Sequence, residues 1–208
     1  MVVAYGDIAF DMDLAALLDA HGRTGALATL VVHPNDHPHD SDLVELDQNR
    51  RVVRLHPKPH PPGLRVRNLV NAAVFVLDPA VIDTIDPDGP SDLVHDVLGA
   101  LIEADRGVYG YPTTEYLKDL GTPSRYEQVV EDWVGGRVAA QHRSQPRPVA
   151  FLDRDGTLLE QDGYLTDPAA VALLPGAGQA VRALNRSGVL AIVITNQPQM
   201  AHGLINEA

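Results

Sequence analysis

An apolar run from Val149 to Leu152 ends abruptly in Asp153-Arg154-Asp155-Gly156-Thr157. The run reads as a short buried strand. In an open α/β sheet, ligands bind beyond the carboxyl ends of the strands, which puts both acids at the mouth of a site. A second apolar run, Val189 to Ile194, ends in Thr195-Asn196-Gln197, groups able to hydrogen-bond a ligand at the same mouth. The chemistry suited to this set is phosphoryl transfer through a covalent intermediate. Asp153 attacks phosphorus to give an aspartyl-phosphate, and Asp155 protonates the leaving oxygen and then activates water. Mg²⁺ on Asp153 and Asp155 lets acids and phosphate share one pocket. Gly156 permits the turn, while Thr195 and Asn196 are candidates for holding the phosphoryl group.

The elements that must position these residues are legible. Leu174 to Gly188 has helical spacing (Ala180, Val181, Leu184) and a glycine stop. Strand, helix and strand make a βαβ unit with parallel strands. Earlier in the chain, Val2 to Tyr5 reads as a strand ending at Gly6-Asp7, another acid at a strand's carboxyl end. Asp13 to His21 reads as a helix with Leu14, Leu17 and Leu18 on one face and Gly22 near its stop. Ala26 to His33 reads as an interior strand, and Asp42–Asp47 with Arg51–His56 as a hairpin. The intervening turn holds His33, Asp36, His37, His39 and Asp40; its spacing fits no zinc pattern, and a solvated loop is the expectation. His56 to Gly63 is a proline-rich loop around Lys58. Leu69 to Leu77 is a buried strand, Ser91 caps a helix to about Ala104, and Gly107–Pro112 and Glu115–Leu120 are strands. Thr122-Pro123 opens a helix through Trp133. Gly135 to Pro148 is the best linker. Arg154 is expected to point away from the two acids beside it, by strand alternation.

Composition narrows the class. The 208 residues carry a net charge of -12 and no cysteine. Disulfides and thiolate metal sites are excluded, and the acidic balance argues against a nucleic-acid partner. No window has the length and apolarity of a membrane span, and the start lacks a basic signal-peptide region. A cytoplasmic protein is the expectation, with a homo-oligomer left open.

Two family resemblances follow from the quoted residues. Asp153-Arg-Asp155-Gly-Thr157 and Ile194-Thr195-Asn196-Gln197, with Gly163-Tyr164, Leu174-Pro-Gly176 and the run to Gly203, resemble the HAD phosphatases, particularly those for heptose bisphosphate and histidinol phosphate. Val3-Ala-Tyr-Gly6-Asp7, Lys58-Pro59, Asn71-Ala-Ala-Val-Phe-Val-Leu77 and Tyr116-Leu-Lys-Asp119-Leu-Gly-Thr-Pro-Ser-Arg-Tyr126 resemble the later portion of sugar-phosphate nucleotidyltransferases. The second resemblance implies that Asp7 and Asp119 hold Mg²⁺, Lys58 meets the sugar phosphate and Asn71 helps bind the sugar. A phosphorylated sugar, and a nucleoside triphosphate in a longer parent, are the implied ligands.

The expected architecture is α/β: a mixed-sheet nucleotidyltransferase-like domain (1–140), a linker (141–148) and a partial Rossmann-like parallel sheet of a HAD domain (149–208). The transferase family's glycine-rich nucleotide loop has no counterpart before Asp7, and the later cation and aspartate of HAD phosphatases do not appear by Ala208. The resemblances therefore imply the middle of a longer bifunctional protein, with Val149–Leu152 and Val189–Ile194 keeping unpaired edges. The leading expectation is sugar-phosphate metabolism, phosphatase joined to transferase. A catalytically incomplete fragment that binds a sugar phosphate, and a subunit-interaction piece, stay open.

Overall fold

A computed structural model describes residues 1–85, 88–160 and 163–205. The chain divides into two compact units, Met1–Ser144 and Gln145–Ala208.

In the first unit, strands β1 (Val2–Ala4), β3 (Ala28–His33), β4 (Leu43–Leu46), β5 (Val52–His56), β6 (Val70–Leu77) and β7 (Val108–Pro112) form one mixed sheet. Its order is β5-β4-β6-β3-β7, and β1 also pairs with β6. β3 runs antiparallel to β6 and parallel to β7. β1 and β4 share the other edge of β6, β1 against Val74–Val76 and β4 against Val70. Alternate residues of β6 serve opposite faces. Ala73, Phe75 and Leu77 pack with Val94, Val97, Leu98 and Leu101, whereas Ala72, Val74 and Val76 pack with Leu17 and Leu117. Both faces are covered, so the central strands read as continuous apolar runs.

The second cover includes a two-stranded antiparallel sheet, β2 (Ile8–Asp11) and β8 (Tyr116–Asp119). The sequence reading missed β2, a four-residue strand held by a distant partner. Helix α1 (Leu14–Thr24) is capped by Asp13, whose Oδ1 accepts from Ala16 N at 2.9 Å, and ends at Gly25 rather than near Gly22. Only Leu17 of its expected apolar face is fully buried; Leu14 and Leu18 stay largely exposed. Asp92, not Ser91, caps the next helix, because its carboxylate reaches both Val94 N and His95 N at 2.8 Å. That helix begins as a π-helical stretch, Leu93–Leu98, and continues as α2 (Gly99–Glu103).

Helix α3 (Pro123–Val134) starts at a Thr122 cap. Helix α4 (Arg137–Gln141) occupies part of the expected linker, because Val138 is buried against Tyr116 and Val129. Glu115 ties this end of the unit together. Its Oε1 accepts from both Asp13 N and Arg143 N at 3.0 Å, and its Oε2 from Thr113 Oγ1 at 3.0 Å. Glu115 is only 5 % exposed, so its loss strands two backbone donors with little access to water. Glu115→Ala is expected to destabilise the first unit by about 2–4 kcal/mol, and Glu115→Gln, which keeps an acceptor, by less. Urea unfolding of the two variants checks this; equal losses would mean that the donors find other partners.

The second unit is built on β9 (Val149–Asp153), α5 (Ala177–Arg186) and β10 (Leu190–Ile194), followed by the short α6 (Pro198–Ala201). β9 and β10 are parallel, with Leu190 opposite Val149 and Ile194 opposite Asp153. Among the described residues these strands pair only with each other, and Phe151, Val193 and Ile194 are exposed. No helix among the described residues is long and apolar enough to cross a membrane.

Candidate functional site

In the first unit, Asp7 lies in the turn between β1 and β2, and Asp119 is the last residue of β8. Ile8 sits opposite Asp119, and Leu120 N donates to Asp7 O at 2.7 Å. Two acids far apart in sequence are thus brought to one end of the same short ladder. The Asp119 carboxylate is already engaged. Its Oδ1 accepts from Arg125 Nη1 at 2.6 Å and Gly121 N at 3.2 Å, and its Oδ2 lies 3.6 Å from His37 Nε2. Burial pushes this carboxyl up, but Arg125, the Gly121 amide and His37 outweigh it and hold it below the usual range.

Arg125 forks. Its other arm, Nη2, donates to Asp40 Oδ2 at 3.2 Å, and Lys58 Nζ stands 3.3 Å from Asp40 Oδ1. Lys58 is thereby linked to Asp119 through Asp40 and Arg125. The Lys58 main chain is held separately: its N donates to Asp42 Oδ1 at 3.1 Å, and Asp42 Oδ2 is 3.2 Å from His95 Nε2. Asn71 lies beside this group on β6, where the partner strand changes. Its N donates to Asp42 O at 3.0 Å, whereas Tyr5 N, from the end of β1, donates to Ala73 O at 3.0 Å. Asn71 Oδ1 accepts from Ala73 N at 3.1 Å, supporting a left-handed Ala73 (φ 54°) at the irregularity in β6.

Sequence reasoning missed Arg125 and Asp40, which take part in this network, and treated the 34–41 turn as solvated. The structure sets His37 and Asp40 of that turn against Asp119, Arg125 and Lys58. The signal available was Arg125 six residues beyond Asp119, behind a Thr-Pro helix start.

Among the described residues no group of three or more His, Cys, Asp and Glu is gathered to hold a metal ion. Asp7 and Asp119 still suit Mg²⁺, which takes one or two carboxylates and fills its shell with water and phosphate oxygens.

His33 ends β3 beside this network. Burial first, then the His37 charge, push its imidazole down to about 4 from the ordinary 6.5, while the Pro34 backbone hydrogen bond and Asp119 act the other way. Below the unfolded value of 6.5, the unfolded chain takes up a proton that the folded chain refuses until about pH 4. Stability present above pH 6.5 is therefore lost as the pH falls, completely below the folded value, by about 3 kcal/mol in all. Urea unfolding at neutral and mildly acid pH checks this. His33→Asn is expected to lose less stability than the unaltered chain by about 2 kcal/mol near pH 4.5; equal losses would contradict it.

In the second unit, Asp153 closes β9 opposite Ile194, so Thr195 and Asn196 emerge at the same end. Asp153 Oδ1 accepts from Arg154 N at 2.8 Å. Arg154 does not point away from the acids, because the strand stops at Asp153 and Gly156 (φ 74°) turns the chain. Its Nε and Nη2 donate to Asp155 Oδ1 and Oδ2 at 2.8 and 3.1 Å. Gln197, read from the sequence as a hydrogen-bonding group at this mouth, donates from Nε2 to Asp155 Oδ2 at 2.9 Å, to Thr195 Oγ1 at 2.6 Å and to Asn196 O at 3.2 Å. Arg154 and Gln197 hold the Asp155 carboxyl below the usual range. That favours a carboxylate able to act as base or metal ligand, and works against its holding a proton as general acid while Arg154 stays in place.

The nucleotidyl transferase family model matches residues 1–134. The mannose-1-phosphate guanylyltransferase of Mycobacterium tuberculosis is 31% identical over 173 residues, 83% of this chain and 45% of that protein. The D-glycero-beta-D-manno-heptose-1,7-bisphosphate 7-phosphatase of Mesorhizobium japonicum is 41% identical over 70 residues, 34% of this chain and 30% of that protein. The chain thus spans less than half the length of either relative. The structure of a UTP-bound UGPase from Acinetobacter baumannii is similar with a TM-score of 0.54 and 18% identity, covering 64% of this chain and 50% of that one. At that identity the likeness concerns the fold.

Proposed function

Because the chain belongs to the nucleotidyl transferase family, we propose that its first unit binds a sugar 1-phosphate, together with Mg²⁺, as the acceptor of a nucleotidyl group from a nucleoside triphosphate, with pyrophosphate leaving. The observation that carries this reading is the convergence of Asp7 and Asp119 at one ladder end, with Lys58 joined to Asp119 through Arg125 and Asp40. Lys58 supplies a cation for the sugar phosphate, and Asn71 a polar edge for the sugar hydroxyls. Asp7 and Asp119 hold the metal. Mg²⁺, when bound, neutralises phosphate charge and polarises the phosphoryl oxygens. The likeness to a mannose-1-phosphate guanylyltransferase makes mannose 1-phosphate the first sugar to try and GTP the nucleotide. Calorimetric titration with mannose 1-phosphate is expected to give Mg²⁺-dependent binding that Lys58→Gln weakens about tenfold. Binding indifferent to both Mg²⁺ and Lys58 would refute the reading.

A second activity is proposed for the second unit, supported by Asp153 and Thr195 at one strand mouth and by the likeness to a heptose-bisphosphate phosphatase. Asp153 is the nucleophile, Asp155 the acid/base, and both are ligands for Mg²⁺; Thr195 and Asn196 bind the phosphoryl group. The two activities would be consecutive: removal of a distal phosphate, then activation of the anomeric one. Proton delivery by Asp155 requires that Arg154 first swing off it.

A further inference from the structure

Asp40 is an acid of the first network to which the proposed function assigns no ligand. It holds two cations at once, Arg125 Nη2 on Oδ2 at 3.2 Å and Lys58 Nζ on Oδ1 at 3.3 Å. Two phosphoryl oxygens would make the same pair of contacts. We propose that Lys58 and Arg125 form a two-cation clamp for the phosphate of the sugar phosphate, and that Asp40 fills this clamp until the incoming phosphate displaces it. The proposal rests on the sugar-phosphate reading of the first unit and adds Arg125 as a binding residue and Asp40 as an internal competitor.

Three observations support displacement. First, the Lys58–Asp40 pair is accessible: its side chains are 53% and 51% exposed, and a pair so exposed contributes little to stability. A phosphate dianion carries more charge than a carboxylate and can take the cations from it. Second, the surrounding chain does not need the Asp40 carboxylate. The turn Pro38–Asp40 is closed by Ser41 N on Pro38 O at 3.4 Å, Ser41 Oγ on His37 O at 3.3 Å, and Asn35 Nδ2 on Ser41 Oγ at 2.9 Å. Lys58 keeps the Asp42 contact to its main chain and a 3.0 Å contact from Nζ to Asp40 O. Third, Arg125 reaches the proposed metal ligand Asp119 with its other arm at 2.6 Å, so a phosphate in the clamp lies next to the cation site. Without ligand, Lys58 and Arg125 balance Asp40 and Asp119. With Asp40 displaced, the phosphate takes over its share of that balance.

The test is calorimetric binding of mannose 1-phosphate, in Mg²⁺, to the whole chain and to Asp40→Asn, Arg125→Gln, Lys58→Gln and the Asp40→Asn/Arg125→Gln pair, with thermal unfolding to verify each fold. Asp40→Asn is expected to tighten binding about fivefold, and Arg125→Gln to loosen it about tenfold. In the paired variant the gain from Asp40→Asn should shrink to less than about twofold, because half of the clamp is gone. Inorganic phosphate should compete, and more strongly against Asp40→Asn. Unchanged or weaker binding by a folded Asp40→Asn protein would overturn the proposal. If Lys58→Gln loosens binding while the Asp40 and Arg125 variants match the unaltered chain, the clamp is refuted and the sugar-phosphate reading survives. Absence of binding to both the unaltered chain and Asp40→Asn would overturn both.

Discussion

Asp119→Asn is expected to remove the Mg²⁺ dependence of mannose 1-phosphate binding and to loosen it about 30-fold or more in saturating Mg²⁺. The side chain stands at the end of β8, one residue out of register from Asp7 across the β2–β8 ladder. Asparagine keeps the size and one oxygen but removes the charge that a hard cation requires. A lost metal bridge of about 2 kcal/mol corresponds to that factor. The substitution also deprives Arg125 Nη1 of its carboxylate partner, leaving that guanidinium with Asp40 alone. Calorimetry with and without Mg²⁺ separates the two effects, because loss of the Arg125 partner moves both titrations while loss of the metal moves only one. A variant whose affinity still rises with Mg²⁺ as the unaltered chain's does would show that Asp119 only anchors Arg125.

Asp153→Asn is expected to lower Mg²⁺-dependent phosphate release from a heptose 1,7-bisphosphate by at least about a thousandfold, equivalent to about 4 kcal/mol of barrier. An amide cannot take the part of the attacking carboxylate, and no covalent intermediate forms. Asp153 closes β9 at the mouth it shares with Thr195, while the neighbouring Asp155 carboxylate is held by Arg154 and Gln197. Phosphate release by the variant near the unaltered rate would remove Asp153 from the chemistry.

How far the sequence could be read depended on whether a feature was local. The β9–α5–β10 unit is signalled within its own stretch: two apolar runs, one helical period and Gly188 as a stop. The parallel pairing follows from that connection, and the structure has it. β3 and β6 were equally plain, since strands covered on both faces are apolar throughout. β2 was not, because Ile8–Asp11 becomes a strand only by pairing with β8 more than a hundred residues later. The helix cap at 91–92 was misplaced by one residue, since serine and aspartate both cap and only geometry selects Asp92.

Site residues divide in the same way. Asp7 and Asp119 were singled out because each closes or follows an apolar run, and the β2–β8 ladder brings those two positions to one end. Arg125 and Asp40 were not, since charges so far apart in sequence meet only once α3 and the 34–41 turn are placed. Arg154 was misjudged because strand alternation was carried one residue too far: β9 ends at Asp153, and the next side chain is free to fold back onto Asp155.

The first unit is proposed to hold a sugar phosphate and a divalent cation on Asp7, Asp119 and Lys58. The most direct measurement is a crystal structure of the chain soaked with mannose 1-phosphate and Mn²⁺, with the metal located by anomalous scattering. The expected result is one Mn²⁺ peak between the Asp7 and Asp119 carboxylates, with the phosphate against Lys58. A Mn²⁺ peak away from both acids, or phosphate bound with Lys58 still on Asp40 and untouched by it, would contradict the account.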